Sequence, residues 1–296
     1  KIKSFLFVLK DILSEENYKK IKTITNFEFV DNFILSMKIN SEKIVNQNYY
    51  SKVKINFNSE LLIQYLIKNK INFINTKPKL FLLLIHEEDK LKNNFLSKNN
   101  KLYKFLKEKN NSQYLKYFIL PNLDFNDRYL LDIDDVINKN YNRISVISEK
   151  YQAENTIILY LKKIDNSYDV EVSYLYNKNH KLILKKTINK LSYIDLLNEI
   201  YFKALDNWKL NNEINTSVNN SVICNININN FNELKFIRSI LKSTIVIKDF
   251  ELIFIMLNQN TYKINYYGNI DNLIKSLEKR RLNLIFNKNN CKIKLI

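Results

Sequence analysis

The tetrapeptide His-Glu-Glu-Asp at positions 86–89 is one place where side chains of this sequence could do chemistry. An imidazole beside three carboxylates could bind a metal ion or transfer protons. The tetrapeptide directly follows the apolar run "LFLLLI" at 80–85, and the carboxyl ends of buried parallel strands often hold sites. Because no second histidine or spaced ligand set accompanies it, we expect a solvated loop. Binding by His86 and Glu87 is kept as the alternative.

The segment "LDFNDRYLLDIDD" is a second candidate, since five aspartates lie close together in it. These are Asp124, Asp127, Asp132, Asp134 and Asp135. The segment is not an EF-hand, because it lacks the glycine of the sharp turn and a correctly spaced terminal glutamate. Carboxylates just before a helix stabilise its N-terminus, and we expect that role. Cation or partner binding at Asp124 and Asp127 is the alternative, and an enzyme would need one cleft shared by Asp124 and His86.

Three further residues have side chains that could take part in chemistry. His180, in "NKNHK", is predicted to lie in a hairpin turn between two strands. Cys224 and Cys291 are not part of a Cys-x-x-Cys pair, and neither lies near a histidine, so they do not indicate a metal site. Two small buried apolar residues are one interpretation. A disulfide between the first and last strands of the final domain is the other, and it would indicate an oxidising compartment.

Gly268 is the only glycine in 296 residues, and this scarcity excludes whole classes of site. Dinucleotide fingerprints, P-loops, kinase glycine loops and nucleophile elbows each need two or more glycines. The sequence therefore predicts no cofactor and no metal, and it disfavours an enzyme. Gly268 lies between a strand ending at Tyr267 and a helix capped by Asn269, so we expect a structural role with positive φ.

The net charge of +17 raises the possibility of a nucleic-acid partner. The lysines are scattered along the chain, and there are only five arginines, the residue type best suited to bidentate phosphate and base contacts. A basic nucleic-acid-binding protein is therefore disfavoured and kept as an alternative. Apolar runs fall far short of the about 18 residues that span a bilayer, so no transmembrane helix is predicted.

Hydrophobic periodicity predicts the elements that carry these residues. The fold class is α+β, with three small α/β units in series: an N-terminal unit at 1–76, a central domain at 77–213 and a C-terminal domain at 214–296. The last has the order β-α-β-β-α-β of a ferredoxin-like sandwich. Structural roles are predicted for Pro121, which ends a strand, and for Trp208, which closes a core-facing helical stripe that starts at Ile194.

Several individual elements are also predicted from the pattern. A strand buried on both faces is expected at 80–85, and a strand with Val170, Val172, Tyr174 and Tyr176 on one side at 168–176. Other predicted elements are helices at 27–35 and 99–109, a helical region at 132–151, and strands at 53–57, 71–74, 222–228 and 245–257.

Four stretches together resemble a bacterial domain-of-unknown-function family, the one numbered two thousand and sixty-six. They are "YYSKVKINFNSELLIQYLIKNKINFINTKPKLFLLLIHEED", "YFILPNLDFND", "SEKYQAENTIIL" and "YYGNIDNLIKSLEKRRLNL". Leu120, Pro121, Asp124 and Asp127 match the family's Leu-Pro-x-x-Asp-x-x-Asp segment. The resemblance runs through nearly the whole chain, although most of the family's small and glycine residues are missing.

The resemblance implies an exported bacterial protein without an assigned activity, and it carries over no catalytic residue. The chain starts at Lys1 within an amphipathic pattern, which we interpret as a mature or truncated product. Our hypothesis is a non-enzymatic interaction or scaffold module of the periplasm or cell envelope, with a cytoplasmic location as the alternative. A protein partner is expected, and neither its identity nor the oligomeric state follows from the sequence.

Overall fold

The computed structural model describes residues 1–89, 92–108, 116–176, 179–227, 230–256, 259–287 and 290–296. These residues form a mixed α and β fold with three sheets, in agreement with the α+β prediction. They divide into two compact units, which we call unit 1 (Lys1–Thr76 with Lys209–Ile296) and unit 2 (Lys77–Trp208). The predicted first and third units thus fold together, because their apolar residues share one core.

Unit 1 begins with three helices, a hairpin and a fourth helix. They are α1 (Ile2–Ile12), α2 (Glu15–Ile24), α3 (Phe27–Asp31), β1 (Ile34–Val45), β2 (Asn48–Phe57) and α4 (Ser59–Lys68). After unit 2 the chain returns to build a five-stranded sheet with two helices. These elements are β9 (Asn219–Asn227), α10 (Phe231–Ser243), β10 (Ile247–Met256), β11 (Gln259–Tyr267), α11 (Ile270–Glu278), β12 (Leu282–Asn287) and β13 (Asn290–Leu295).

The strand order in the larger sheet of unit 1 is β10-β11-β9-β13-β12. A ferredoxin-like sandwich has the same element order up to β12, but it places its first and last strands side by side. In this chain β13 lies between β9 and β12, pairing parallel with β9 and antiparallel with β12. The ferredoxin-like detail is therefore not confirmed, since the strand after the motif takes the position next to β9.

The core of unit 1 joins side chains from both ends of the chain. Phe5 and Leu9 of α1 and Leu66 of α4 belong to the same buried cluster as Ile226 of β9 and Ile264 of β11. The two chain segments also pair directly near the boundary with unit 2, where the Ile214 N–H donates to the carbonyl oxygen of Phe73 at 2.8 Å. Burial of these apolar residues, each worth about 2 kcal/mol, requires both segments.

Unit 2 is built on a mixed sheet covered by helices. Its elements are β3 (Phe81–Asp89), β4 (Lys92–Asn93), α5 (Lys101–Lys107), β5 (Phe118–Ile119), α6 (Phe125–Leu130), α7 (Ile133–Ile137), α8 (Tyr141–Lys150), β6 (Asn155–Ile164), β7 (Ser167–Tyr176), β8 (Asn179–Ile188) and α9 (Tyr193–Asn212). The last four residues of α9 belong to unit 1. The strand order is β4-β3-β6-β7-β8, and β5 also pairs with β3.

The burial of unit 2 confirms the two strand patterns predicted for it. Residues 81–87 of β3 are all buried, as expected for a strand covered on both faces. On β7, Val170, Val172 and Tyr174 are buried, while the residues between them are half-buried. In α9 the predicted core stripe holds for Trp208, which is buried, but Ile194 at its start is exposed.

Some predicted elements differ from those observed. The helix predicted at 27–35 ends at Asp31, and Leu35 lies in β1. The helical region at 132–151 is two helices, and 71–74 is not a strand but an isolated bridge between Phe73 and Ile214. The predicted ends at positions 109, 228 and 257 lie outside the described residues. Among the helices of the described ranges, none has the length and apolarity needed to cross a bilayer.

Candidate functional site

Both histidines of the chain line one cavity in unit 2. The residues His86, Tyr160 and Glu171 face one another across three neighbouring strands, because His86 of β3 pairs with Tyr160 of β6 and Tyr160 pairs with Glu171 of β7. Since side chains alternate along strands, all three lie on the same face of the sheet. Helices α7 and α8 lie over this face and leave a partly open cavity of ≈ 290 Å³. The lining residues are His86, Val136, Ile137, Lys139, Tyr141, Ile144, Ile158, Tyr160, Glu171, Ser173 and His180.

His86 is buried, not solvated as expected for a loop. It lies within β3, which runs to Asp89, and its ring centroid is 4.8 Å from that of Tyr160. The Tyr160 hydroxyl in turn donates a hydrogen bond to Glu88, and Lys162 Nζ lies 2.9 Å from the other oxygen of Glu88. The tetrapeptide is therefore part of the sheet, with the imidazole facing the cavity.

The hydrogen bond between Tyr160 and Glu88 shifts the pKa values of the two groups in opposite directions. The bond from Tyr160 is the main cause that lowers the pKa of Glu88, and Lys162 acts in the same direction. Burial and the neighbouring carboxylate raise the pKa of Tyr160. At neutral pH the pair is therefore a carboxylate held by a phenol, which is a structural hydrogen bond beside the cavity.

His180 lies on β8 in register with Leu175 of β7, next to the pair of Tyr176 and Asn179. Residues 177–178 lie outside the described residues. His180 thus belongs to the hairpin but lies in the strand, not in the predicted turn. Its imidazole also stacks on Tyr141, with ring centroids 5.3 Å apart. Burial, followed by the charge of Lys139, lowers the pKa of His180. The imidazole is neutral at pH 7.

Glu87 points away from the cavity, because it alternates with His86 along β3. Its carboxylate is buried and accepts a hydrogen bond from the backbone N–H of Lys101 at 2.6 Å, at the first residue of α5. The side chain of Asn100 caps the same helix by accepting from the Tyr103 N–H at 2.8 Å. Glu87 therefore stabilises a helix start.

Asp124 and Asp127 also stabilise local structure. Asp124 is the N-cap of α6 and accepts from the Asp127 N–H at 2.8 Å, which lowers the pKa of Asp124. Asp127 is fully buried, and its carboxylate accepts from the Leu123 N–H at 2.7 Å, the Tyr151 hydroxyl at 2.8 Å and Lys150 Nζ at 2.7 Å. Burial is the main cause that raises the pKa of Tyr151 to about 12. The expected helix-capping role is confirmed for Asp124, whereas Asp127 lies within α6 and bonds the backbone before it.

Asp132 completes this pattern with a capping box at α7. Its side chain accepts from the Asp135 N–H at 2.8 Å, and Asp135 accepts from the Asp132 N–H. The cavity that His86 lines includes none of these aspartates. Within the ranges that the structure describes, no group of three or more His, Cys, Asp or Glu side chains is arranged to hold a metal ion.

Cys224 and Cys291 form a disulfide, the second of the two interpretations. They are directly opposite each other on the neighbouring parallel strands β9 and β13, and both are buried. The bond closes a sequence separation of 67 residues. It therefore crosslinks β9 and β13, the first and last strands along the chain in the five-stranded sheet.

Strand β10 presents an apolar surface that the sequence pattern did not reveal. Among the strands that the structure describes, it pairs with β11 alone and lies at the edge of its sheet, and residues 252–256, "LIFIM", are between 44% and 65% exposed. The hairpin β1–β2, whose turn at Asn46 and Gln47 has positive φ, also exposes apolar side chains such as Ile39 and Ile44. An uninterrupted apolar run normally indicates a buried strand, so exposure here can be recognised only from the sheet order.

The predicted roles of Gly268, Asn269 and Pro121 are structural in the observed fold as well. Gly268 has φ of 78°, and a Cβ at this position would lie 2.9 Å from Asn272 Nδ2. Asn269 caps α11 by accepting from the Asn272 N–H at 2.9 Å. Pro121 is buried, and its carbonyl oxygen accepts from the Tyr103 hydroxyl at 3.1 Å.

Comparison with known proteins adds no relative. No family model, no curated protein and no solved structure matches this chain. The family resemblance carried by the motifs stays a prediction.

Proposed function

We propose that this chain is a non-enzymatic interaction module of the bacterial envelope, and that unit 1 binds an extended segment of a partner protein by strand addition along β10. Within this proposal, residues 219–296 are a ferredoxin-like sandwich with one added strand. The single observation that carries it is the edge strand β10 with its exposed run at 252–256.

An open edge strand offers unpaired backbone N–H and C=O groups to another chain. Natural edges are usually protected by charged residues, prolines or bulges. The second half of β10 has no charged residue or proline, whereas its first half has Lys248, Asp249 and Glu251. The register with β11 shifts between Leu252 and Phe254, so the regular part of the exposed run is 254–256. A partner strand would satisfy the backbone groups, and alternate side chains of 252–256 would supply apolar contacts on both faces.

The proposed location in the envelope is supported by the disulfide between Cys224 and Cys291. Disulfides persist in oxidising compartments such as the periplasm and are rare in the cytosol. The resemblance to an exported bacterial family supports the same location. Recovery of the full-length protein in the cytosolic fraction, with both thiols free, would reject it.

Site-specific photo-crosslinking tests the proposed surface. A photoreactive phenylalanine analogue is placed at Phe254 of β10 or, as the matched control, at Phe231 of α10, which is 76% exposed in the same unit. We expect a discrete crosslinked product at Phe254 in the cells that make the protein and none at Phe231. Equal products at both positions would show nonspecific apolar contact, and a product between two copies would replace the partner with self-association.

A variant separates binding from folding in the same experiment. Ile255→Lys places a charge on the exposed edge and should abolish the product at Phe254, because a buried charge opposes strand addition. Ile255 is 65% exposed, so the free energy of unfolding should change by less than about 0.5 kcal/mol. Persistence of the product in this variant would contradict the proposal.

A further inference from the structure

The cavity between the sheet of unit 2 and helices α7 and α8 has the properties of a small-molecule site. Its volume of ≈ 290 Å³ is close to the lower limit of about 300 Å³ for such sites. Unit 2 holds it without any residue of unit 1, so it is independent of the surface proposed for strand addition.

The walls of the cavity combine apolar and aromatic surfaces. Ile144 and Ile158 are buried and face each other from helix and sheet. The two aromatic pairs described above, His86 with Tyr160 and His180 with Tyr141, form other parts of the wall. Flat rings and branched aliphatic groups are complementary to an aromatic or branched apolar body.

The charges around the cavity favour an anion. The carboxylate of Glu171 forms a salt bridge with the exposed Lys185, whose Nζ lies 3.2 Å away. Lys139 lines the cavity, and within the described part of the chain its ammonium group forms no ion pair. The first turn of α8, starting at Tyr141, belongs to the same wall and contributes the positive end of a ten-residue helix. Its N-cap Asn140 also donates to the carboxylate of Asp135 at 2.7 Å, next to Asp134 in α7.

The polar groups of the wall can complete the recognition of an anion. Ser173 supplies a hydroxyl from β7, opposite Ile158. The imidazole of His180 lies close enough to Lys139 for that charge to lower its pKa, so an anion at Lys139 would also meet a polar ring. An ammonium ligand would instead be repelled by Lys139 and would find Glu171 already paired.

We propose that this cavity binds a small organic anion with an aromatic or branched apolar body, of the arylcarboxylate class. The carboxylate lies at Lys139 and the first turn of α8. The apolar body packs against Ile144, Ile158 and the aromatic pairs.

Calorimetric titration with three compounds of one shape tests the charge assignment. Phenylacetate, phenylacetamide and phenethylamine share the ring and differ in the terminal group. We expect saturable binding of phenylacetate at one site, with phenylacetamide weaker by about tenfold or more and phenethylamine weaker still, since loss of one charge interaction costs about that factor. Equal affinities of acid and amide, tighter binding of the amine, or no saturable binding of any of the three would overturn the proposal.

Lysine variants locate the site. Lys139→Met should weaken phenylacetate binding by about tenfold and leave phenylacetamide binding unchanged, since only the acid uses the charge. Lys190→Met removes an exposed lysine elsewhere in unit 2 and should change neither affinity. Lys139 is exposed, so the substitution removes no buried contact. Its φ of 56° is equally unfavourable for lysine and for methionine, so the variant folds as the parent does. Equal weakening by both variants would reveal only a general effect of net charge.

Discussion

Replacing Asp127 with asparagine should cost unit 2 about 2 kcal/mol of unfolding free energy. The carboxylate is fully buried and accepts hydrogen bonds from the Tyr151 hydroxyl and from Lys150 Nζ. An asparagine oxygen in place of Oδ2 can still accept from the Leu123 N–H and from the Tyr151 hydroxyl, which contacts both carboxylate oxygens, but this acceptor is neutral. The NH₂ group in place of Oδ1 offers no acceptor to Lys150 Nζ. Replacing the charged acceptor of the Tyr151 and Leu123 hydrogen bonds with a neutral one costs about 1.5 kcal/mol. The Lys150 contact adds about 0.5 kcal/mol because that lysine is partly exposed.

Urea unfolding monitored by tryptophan fluorescence measures this loss. Trp208 is the only tryptophan and is buried at the end of unit 2, so its emission reports on that unit. The matched control is Asp132→Asn, because asparagine and aspartate are equally good N-caps and the change should stay below about 0.5 kcal/mol. If Asp127→Asn were as stable as the parent, or if both variants lost the same amount, the assigned role of the buried carboxylate would be wrong.

The remaining predictions concern a turn, the disulfide and an acid-sensitive pair. Gly268→Val should lower the midpoint of thermal unfolding, because valine is strained at φ of 78° and its Cβ meets Asn272; an unchanged midpoint would contradict this. Reduction of the Cys224–Cys291 bond, or Cys291→Ser, should lower the free energy of unfolding by about 4 kcal/mol, given a separation of 67 residues. A urea midpoint that does not change when reductant is added would refute this. The pKa of Glu88 in the folded protein is lowered from 4.5. Its contribution to the free energy of unfolding is therefore fully present above pH 4.5 and is lost as the pH falls through the folded pKa. Glu88→Gln should therefore be less stable than the parent at neutral pH, with the difference vanishing in acid, and a difference that persists in acid would count against the pair.

Local rules predicted the features whose cause is local. Gly268 and Asn269 form the expected turn and cap, since both depend on a few neighbouring residues. The aspartates at 124 and 132 cap helices for the same reason. The burial of β3 and the alternation on β7 followed from side-chain periodicity.

The features that the sequence did not predict depend on pairing between distant segments. His86 and His180 line one cavity only because β3, β6, β7 and β8 are neighbours in that order, which no local pattern specifies. The prediction that the His86 segment is a loop failed because β3 continues to Asp89 through its pairing with β6. The exposure of 252–256 on β10 likewise follows from its place at the edge of the sheet.

The difference between the three predicted units and the two observed units also arises from pairing between distant segments. Periodicity assigns helices and strands to 1–76 and 214–296 separately, and each segment has apolar faces. The pairing of Phe73 with Ile214 and the shared core are contacts between positions far apart in the chain. Contacts of such long sequence separation leave no signature in a local window.

The insertion of unit 2 within unit 1 imposes an order on synthesis. Whether the chain emerges from a ribosome or from an export channel, all residues of unit 2 emerge before Lys209, so this unit can fold before residues 209–296 are available. Residues 1–76 have by then been available for longer, yet they lack the strands that cover their apolar faces until 209–296 follow. Within unit 1, residues 1–76 therefore wait for the rest of their core while all of unit 2 emerges, and their exposed apolar faces are prone to aggregation during that interval.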